Sequence, residues 1–137
     1  MGASVYFALP LAARIGYNAL DEQHEGLLDE LNRCRDEIGR GQGRVSVGAC
    51  FDPLSSKMHD HFLHEEEVMA GLHYHGLEWH IDHHRESLDR LQELRGKCNV
   101  KGYVEAEDIN DCFSHVIDDV LRADLKFKTF LHARGLL

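Results

Sequence analysis

"LSSKMHDHFLHEEEVM", residues 54–69, places apolar side chains at Leu54, Met58, Phe62 and Met69 and ionisable ones at His61 and Glu65. Apolar residues three and four apart mark one face of a helix. His61 and Glu65 continue that same inward series, and their i, i+4 spacing makes them project from one face about 40° apart. A carboxylate in an apolar stripe is costly: its burial loses several kcal/mol unless it is paired or binds a metal. The stretch therefore predicts a core-facing helix whose inner face carries a polar site.

The same pattern recurs along the chain. Helical spacing runs over about Leu20–Ile38, Val47–Leu72, Leu77–Leu94 and Glu105–His132, and strand-like alternation is absent. "GRGQG" (39–43), "HYHGLE" (73–78) and "GKCNVKGYV" (96–104) separate these segments. Long amphipathic helices joined by short connections predict an all-α, up-down-up-down four-helix bundle. The whole chain, 1–137, reads as a single domain with an N-terminal arm over about residues 1–18.

Polar intrusions appear on the other helices too. His24 completes the series Leu20, Leu27, Leu28 and Leu31, and His80 and His84 share the face of Leu77, Ile81 and Leu88. Imidazole nitrogens and a carboxylate converging inside a bundle are the donors of a non-haem metal site. With no thiolate in the set, structural zinc is disfavoured. His64, His83, Asp60 and Asp118 read instead as members of solvated helix faces.

Bulk properties narrow the function classes. A formal net charge of −9 without a basic stripe argues against a nucleic-acid partner. No apolar run approaches the roughly 18 residues of a membrane helix. The opening "MGASVYFALPLAARIGY" lacks a basic leader and is interrupted by Pro10, so a cytoplasmic location is expected. Cys34, Cys50, Cys98 and Cys112 form no CxxC clamp and read as reduced, packed thiols.

"ALDEQHEGLL" (19–28), "HFLHEEEVM" (61–69) and "HYHGLEWHIDHH" (73–84) closely resemble the hemerythrins, particularly bacteriohemerythrins and hemerythrin-like sensor domains. The similarity extends from about Ile15 to Leu131. It implies a bundle holding two non-haem irons in an oxo- or hydroxo-bridged centre, with manganese as an alternative metal. The implied ligand is O2 or another small diatomic or peroxide molecule. A signalling domain is an expected partner if the chain is one domain of a larger sensor.

By matching position, the resemblance gives His24 and His61 to one iron and His80 and His84 to the other, with Glu65 as a bridging carboxylate. "DLKFKTFL" (124–131) matches the end of the family's last motif and puts Asp124 in the second bridging role. Five residues earlier the family has a histidine ligand, and this chain has Asp119. One turn before that stands His115. Three arrangements follow: Asp119 ligates the second iron, or His115 reaches in with Asp119 orienting it, or water fills the position. On an ideal helix Asp119 and Asp124 lie about 140° apart and His115 and Asp124 about 180° apart, which favours Asp119. Val116 is then expected as an apolar wall of the ligand pocket.

The resemblance implies O2, NO or peroxide binding for sensing, storage or delivery. The alternative is a di-iron oxidase or peroxidase, favoured by the added carboxylate, because an anionic oxygen donor stabilises the higher oxidation state.

Overall fold

A computed structural model of the chain describes residues 15–118 and 124–137. The expectations placed on Asp119 and on the arm before residue 15 lie outside the described residues. Those described form α1 (Asn18–Arg40), α2 (Val47–Gly71), α3 (Leu77–Lys101), α4 (Ala106–Asp118) and α5 (Asp124–Ala133), with no strand among them. The single last helix expected over 105–132 is thus described as two segments.

Side-chain pairings establish how the helices run. Between α1 and α2, Gln23 meets His61 while Arg33 and Cys34 meet Cys50, so the two are antiparallel. Between α2 and α3, Glu65 and Glu66 meet His84 while Asp52 meets Arg95. Between α3 and α4, Ser87 meets His115 while Lys97 meets Asp108. Asp124 at the start of α5 returns to His24 on α1. The direction alternates at every step, as short connections require.

The core is divided into two apolar clusters. The larger contains Leu27, Leu31, Phe51, Leu54, Met58, Phe62, Leu91, Phe113 and Val116; the smaller contains Ile15, Leu20, Met69, Tyr74, Phe127 and Leu131. On every helical strand of the bundle the inward polar residues fall between the two: His24 between Leu20 and Leu27, Glu65 between Phe62 and Met69, Asp124 between Val116 and Phe127. The bundle therefore holds a buried polar layer between two apolar plugs.

Helix α3 differs most from its sequence reading. It continues through "GKCNVK" to Lys101 and stops at Gly102, whose φ of 80° suits glycine at a helix C-terminus. Its buried series is His80, His84, Ser87, Leu91, Leu94 and Cys98, alternating steps of four and three. Ile81 and Leu88, expected inward, are only half-buried, because they lie one position away from this series.

Helix α2 starts at Ser46, whose hydroxyl accepts from the Ala49 N–H, an ordinary N-cap. Pro53 lies inside α2 and has no N–H to offer the Ala49 carbonyl four residues back. Arg33 of α1 supplies donors there instead, to the carbonyls of Ala49 at 3.3 Å and Cys50 at 2.9 Å.

The loop between α1 and α2 docks against the segment before α4 through a backbone bond from Val104 N–H to Gly43 O of 2.7 Å. Gly43 has φ +86°, and an added Cβ would lie 2.7 Å from the Val104 carbonyl oxygen. Gly43→Ala should destabilise the protein by about 2 kcal/mol or more, combining left-handed strain with a backbone clash. Thermal unfolding checks this; Gly39→Ala, where a Cβ meets nothing within 4 Å, should cause no comparable loss.

Candidate metal centre

Glu65 is fully buried on α2 and faces imidazoles from three helices. Its Oε2 lies 3.2 Å from His24 Nε2 and 3.4 Å from His61 Nε2. Its Oε1 lies 3.0 Å from His84 Nε2 and 3.5 Å from His80 Nδ1. Each oxygen thus serves one pair of histidines. Asp124 divides in the same way, with Oδ2 2.5 Å from His24 Nε2 and Oδ1 3.7 Å from His80 Nδ1.

The donors fall into two groups sharing Glu65: His24, His61, Glu65 and Asp124 in one, Glu65, His80 and His84 in the other. Within each group the donor atoms lie within 4.8 Å of one another, and every residue is buried. Six of the seven positions expected to ligate are therefore brought together; the seventh, Asp119, lies outside the described residues. His115 joins neither group. Its Nδ1 lies 2.6 Å from Ser87 Oγ, its Nε2 lies 3.3 Å from Glu86, and its ring stacks on His83 at 4.4 Å. Burial, followed by the neighbouring His83, pushes its pKa down, which favours the neutral ring.

Val116 is fully buried in the larger apolar cluster and does not line the cleft that reaches the donors. That cleft, of about 370 Å³, runs between α1 and α2 from Ala19, Glu22 and Gly26 to Lys57, Asp60 and His61.

Burial raises the pKa of Glu65, but hydrogen bonding to His24, His61, His80 and His84 reverses this and holds it well below the usual carboxylate range. Glu65 is thus an anion at the centre of the layer. Two imidazole nitrogens of the cluster have no hydrogen bond among the described residues: His24 Nδ1 and His80 Nε2. Orphaned buried nitrogens beside an anion are costly unless they share a cation. A donor set of neutral imidazole and carboxylate, without thiolate, fits a first-row metal of iron or manganese type better than structural zinc.

Two partners were not evident from the sequence. Glu66 Oε2 lies 2.9 Å from His84 Nδ1, and Gln23 Oε1 accepts from His61 Nδ1 at 3.1 Å. Each accepts the Nδ1 proton in a hydrogen bond, so that the Nε2 facing Glu65 is the nitrogen that can release its proton to a bound metal. Both sit next to a site residue in sequence, which is the only local signal they offer. Phe62 lies flat on the His84 ring at 4.0 Å and packs its orientation. His83, expected on a wet face, is instead only 11% exposed in its side chain and stacked between Trp79 and His115.

The family model described as "Hemerythrin HHE cation binding domain" matches residues 15–127, across all of these donors. The chain belongs to the hemerythrin family. Myohemerythrin of Theromyzon tessulatum is 26% identical over 112 residues, covering 82% of each chain. No solved structure gives a significant match. The matched range contains both donor groups and the carboxylate they share. No helix among the described residues is long and apolar enough to cross a membrane.

Because Gln23 and Glu66 orient histidines of the cluster, Gln23→Leu and Glu66→Leu should each weaken metal retention by about 10- to 100-fold while leaving the helical content intact. Competition with a chelator, read beside circular dichroism, checks this. Retention equal to that of the unaltered protein in both variants would remove the orienting role.

Proposed function

We propose that this hemerythrin-family domain holds two non-haem irons and binds O2, or NO or peroxide, for sensing, storage or delivery. The observation that carries the reading is the division of both carboxylates: Glu65 and Asp124 each offer one oxygen to each side of the cluster. Carboxylates so placed would hold two cations together, where a mononuclear site would use both oxygens on one. His24 and His61 would complete one position and His80 and His84 the other, with Asp119 contributing to the second.

When bound, the two irons supply the electrons and open coordination that O2 binding needs. The chain's own residues do the rest. Gln23 and Glu66 accept the Nδ1 protons of His61 and His84 in hydrogen bonds, so that each Nε2 is free to ligate when metal displaces its proton, and the two apolar clusters exclude bulk water from the layer between them. The cleft ending at His61 opens on the His24–His61 side of the cluster and gives a small ligand a path between α1 and α2.

The second reading is an oxidase or peroxidase that turns over O2 or hydrogen peroxide with an external reductant. Asp119 favours it, since an anionic oxygen donor in a histidine's place makes the reduced centre easier to oxidise.

Elemental analysis should find two irons per chain after expression in iron-sufficient medium, and predominance of manganese or zinc would overturn the assignment. Mixing the anaerobically reduced protein with O2 separates the two readings. A spectral change that reverses when O2 is removed supports binding; immediate permanent oxidation with sustained peroxide consumption under reductant supports turnover. Asp119→His should slow autoxidation, and an unchanged rate together with an unchanged spectrum would exclude Asp119 as a ligand.

A further inference from the structure

Beyond the metal layer, the larger apolar cluster contains a second reactive group. Cys34 on α1 and Cys50 on α2 are both fully buried, with their sulfurs 2.8 Å apart. They lie ten residues beyond His24 on α1, or ~15 Å along the helix at about 1.5 Å per residue, so they are separate from the donor cluster. All four cysteines are free thiols, but this pair alone is in sulfur–sulfur contact among the described residues. A disulfide needs roughly 2.05 Å between sulfurs, so less than an ångström of movement separates the two states.

We infer that Cys34 and Cys50 form a redox-active dithiol that a hydroperoxide converts to a disulfide joining α1 to α2. The surroundings distinguish the two sulfurs. Cys50 lies in the first turns of α2, where the helix N-terminus favours a thiolate. The Arg33 guanidinium is anchored on the Cys50 carbonyl at 2.9 Å and held there by Glu37 at 3.1 Å. The hydrogen bond from Cys34 lowers the Cys50 pKa and Arg33 lowers it further, against burial and Glu37. The same hydrogen bond, with burial, pushes Cys34 up. The helix N-terminus and the Arg33 guanidinium on the Cys50 side assign Cys50 as the attacking thiolate and Cys34 as the resolving thiol.

The reaction balances with a hydroperoxide, ROOH, as the sole oxidant. The Cys50 thiolate attacks the terminal oxygen; an S–O bond forms, the O–O bond breaks, and ROH leaves after taking up a proton. The Cys34 sulfur then attacks the sulfenic sulfur of Cys50. An S–S bond forms, the S–O bond breaks, and hydroxide leaves as water with the proton from Cys34. Two thiols lose two electrons and two protons, and ROOH becomes ROH and water. Both sulfurs are fully buried, so on this proposal the oxidant reaches them through local opening of the start of α2. No step involves the metal cluster.

The test treats the purified 137-residue chain with stoichiometric hydrogen peroxide, and in parallel with diamide, a thiol oxidant that is not a peroxide. Thiol titration should show loss of two of the four thiols with either oxidant, and peptide mapping should find Cys34 linked to Cys50. Cys34→Ser should leave a sulfenic acid on Cys50 that dimedone traps, while Cys50→Ser should not react. Cys98→Ser and Cys112→Ser should form the link at the normal rate. Arg33→Gln should move the pH profile of the reaction upward, and the oxidised protein should melt several degrees above the reduced one. A link made by diamide but not by peroxide would overturn the peroxide chemistry. Linkage to Cys98 or Cys112, or retention of all four thiols with both oxidants, would overturn the pair itself.

Discussion

The buried carboxylate of Glu65, ringed by four imidazoles, is the constraint on which the remaining structure depends. A charge placed there without partners would cost several kcal/mol, enough to consume much of a domain's stability. The bundle meets that demand by bringing His24 from α1, His61 from Glu65's own helix α2, and His80 and His84 from α3 to the same level, with Asp124 opposite. Helix register is thereby fixed at one height. A slip of one turn along any helix would move an imidazole into an apolar plug and leave the carboxylate facing hydrocarbon. Apolar packing alone tolerates such slips far better, because one leucine substitutes for another at small cost. The polar layer specifies the arrangement, and the clusters above and below it stabilise that arrangement and keep water out.

Much of this was legible in the spacing of residues. His61 and Glu65, and His80 and His84, stand i, i+4 apart within apolar series, and that spacing alone places each pair on one inward face. The ranges of α1 and α2 also followed closely from apolar periodicity and from the glycine-rich break after Ile38. Helix α3 was harder for the reason that makes it functional. Its buried series carries His80, His84 and Ser87, so the apolar residues Ile81 and Leu88 drew the expected face one position off. Its last turns, with Gly96 and Asn99, look like a loop; Leu94 and Cys98 in the core hold them helical.

Partnerships across helices were not legible at all. Gln23 and Glu66 are adjacent to site residues, but which histidine each one holds depends on a neighbouring helix: Gln23 holds His61 of α2, and Glu66 holds His84 of α3. The same is true of Arg33, whose donors replace the amide that Pro53 lacks in α2. Such pairs are set by the register between helices, which no single-helix pattern encodes. His83 illustrates the converse. Its position on α3 suggests a wet face, yet Trp79 and His115 sandwich it, leaving the indole as the exposed member at 48%.

The stack on His83 also bears on the most unusual feature of the sequence. His115 stands where a displaced ligand could have come from, but both its nitrogens already face other groups: Ser87, which is fully buried, and Glu86. Turning the ring toward His80 and His84 would give up the Ser87 contact and the stack on His83 together. The two donor groups are correspondingly unequal. Four residues converge on the first and three on the second, with the far oxygen of Asp124 3.7 Å from His80 Nδ1. With His115 engaged elsewhere, the fourth donor on that side falls to Asp119 or to solvent. Were the proposed Asp119 ligand to fill that place, it would add negative charge to one half of the layer only. The histidine pair of α1 and α2 would keep its own balance while the pair on α3 gained an anion, and the two halves of one shared site would then differ in their affinity for electrons.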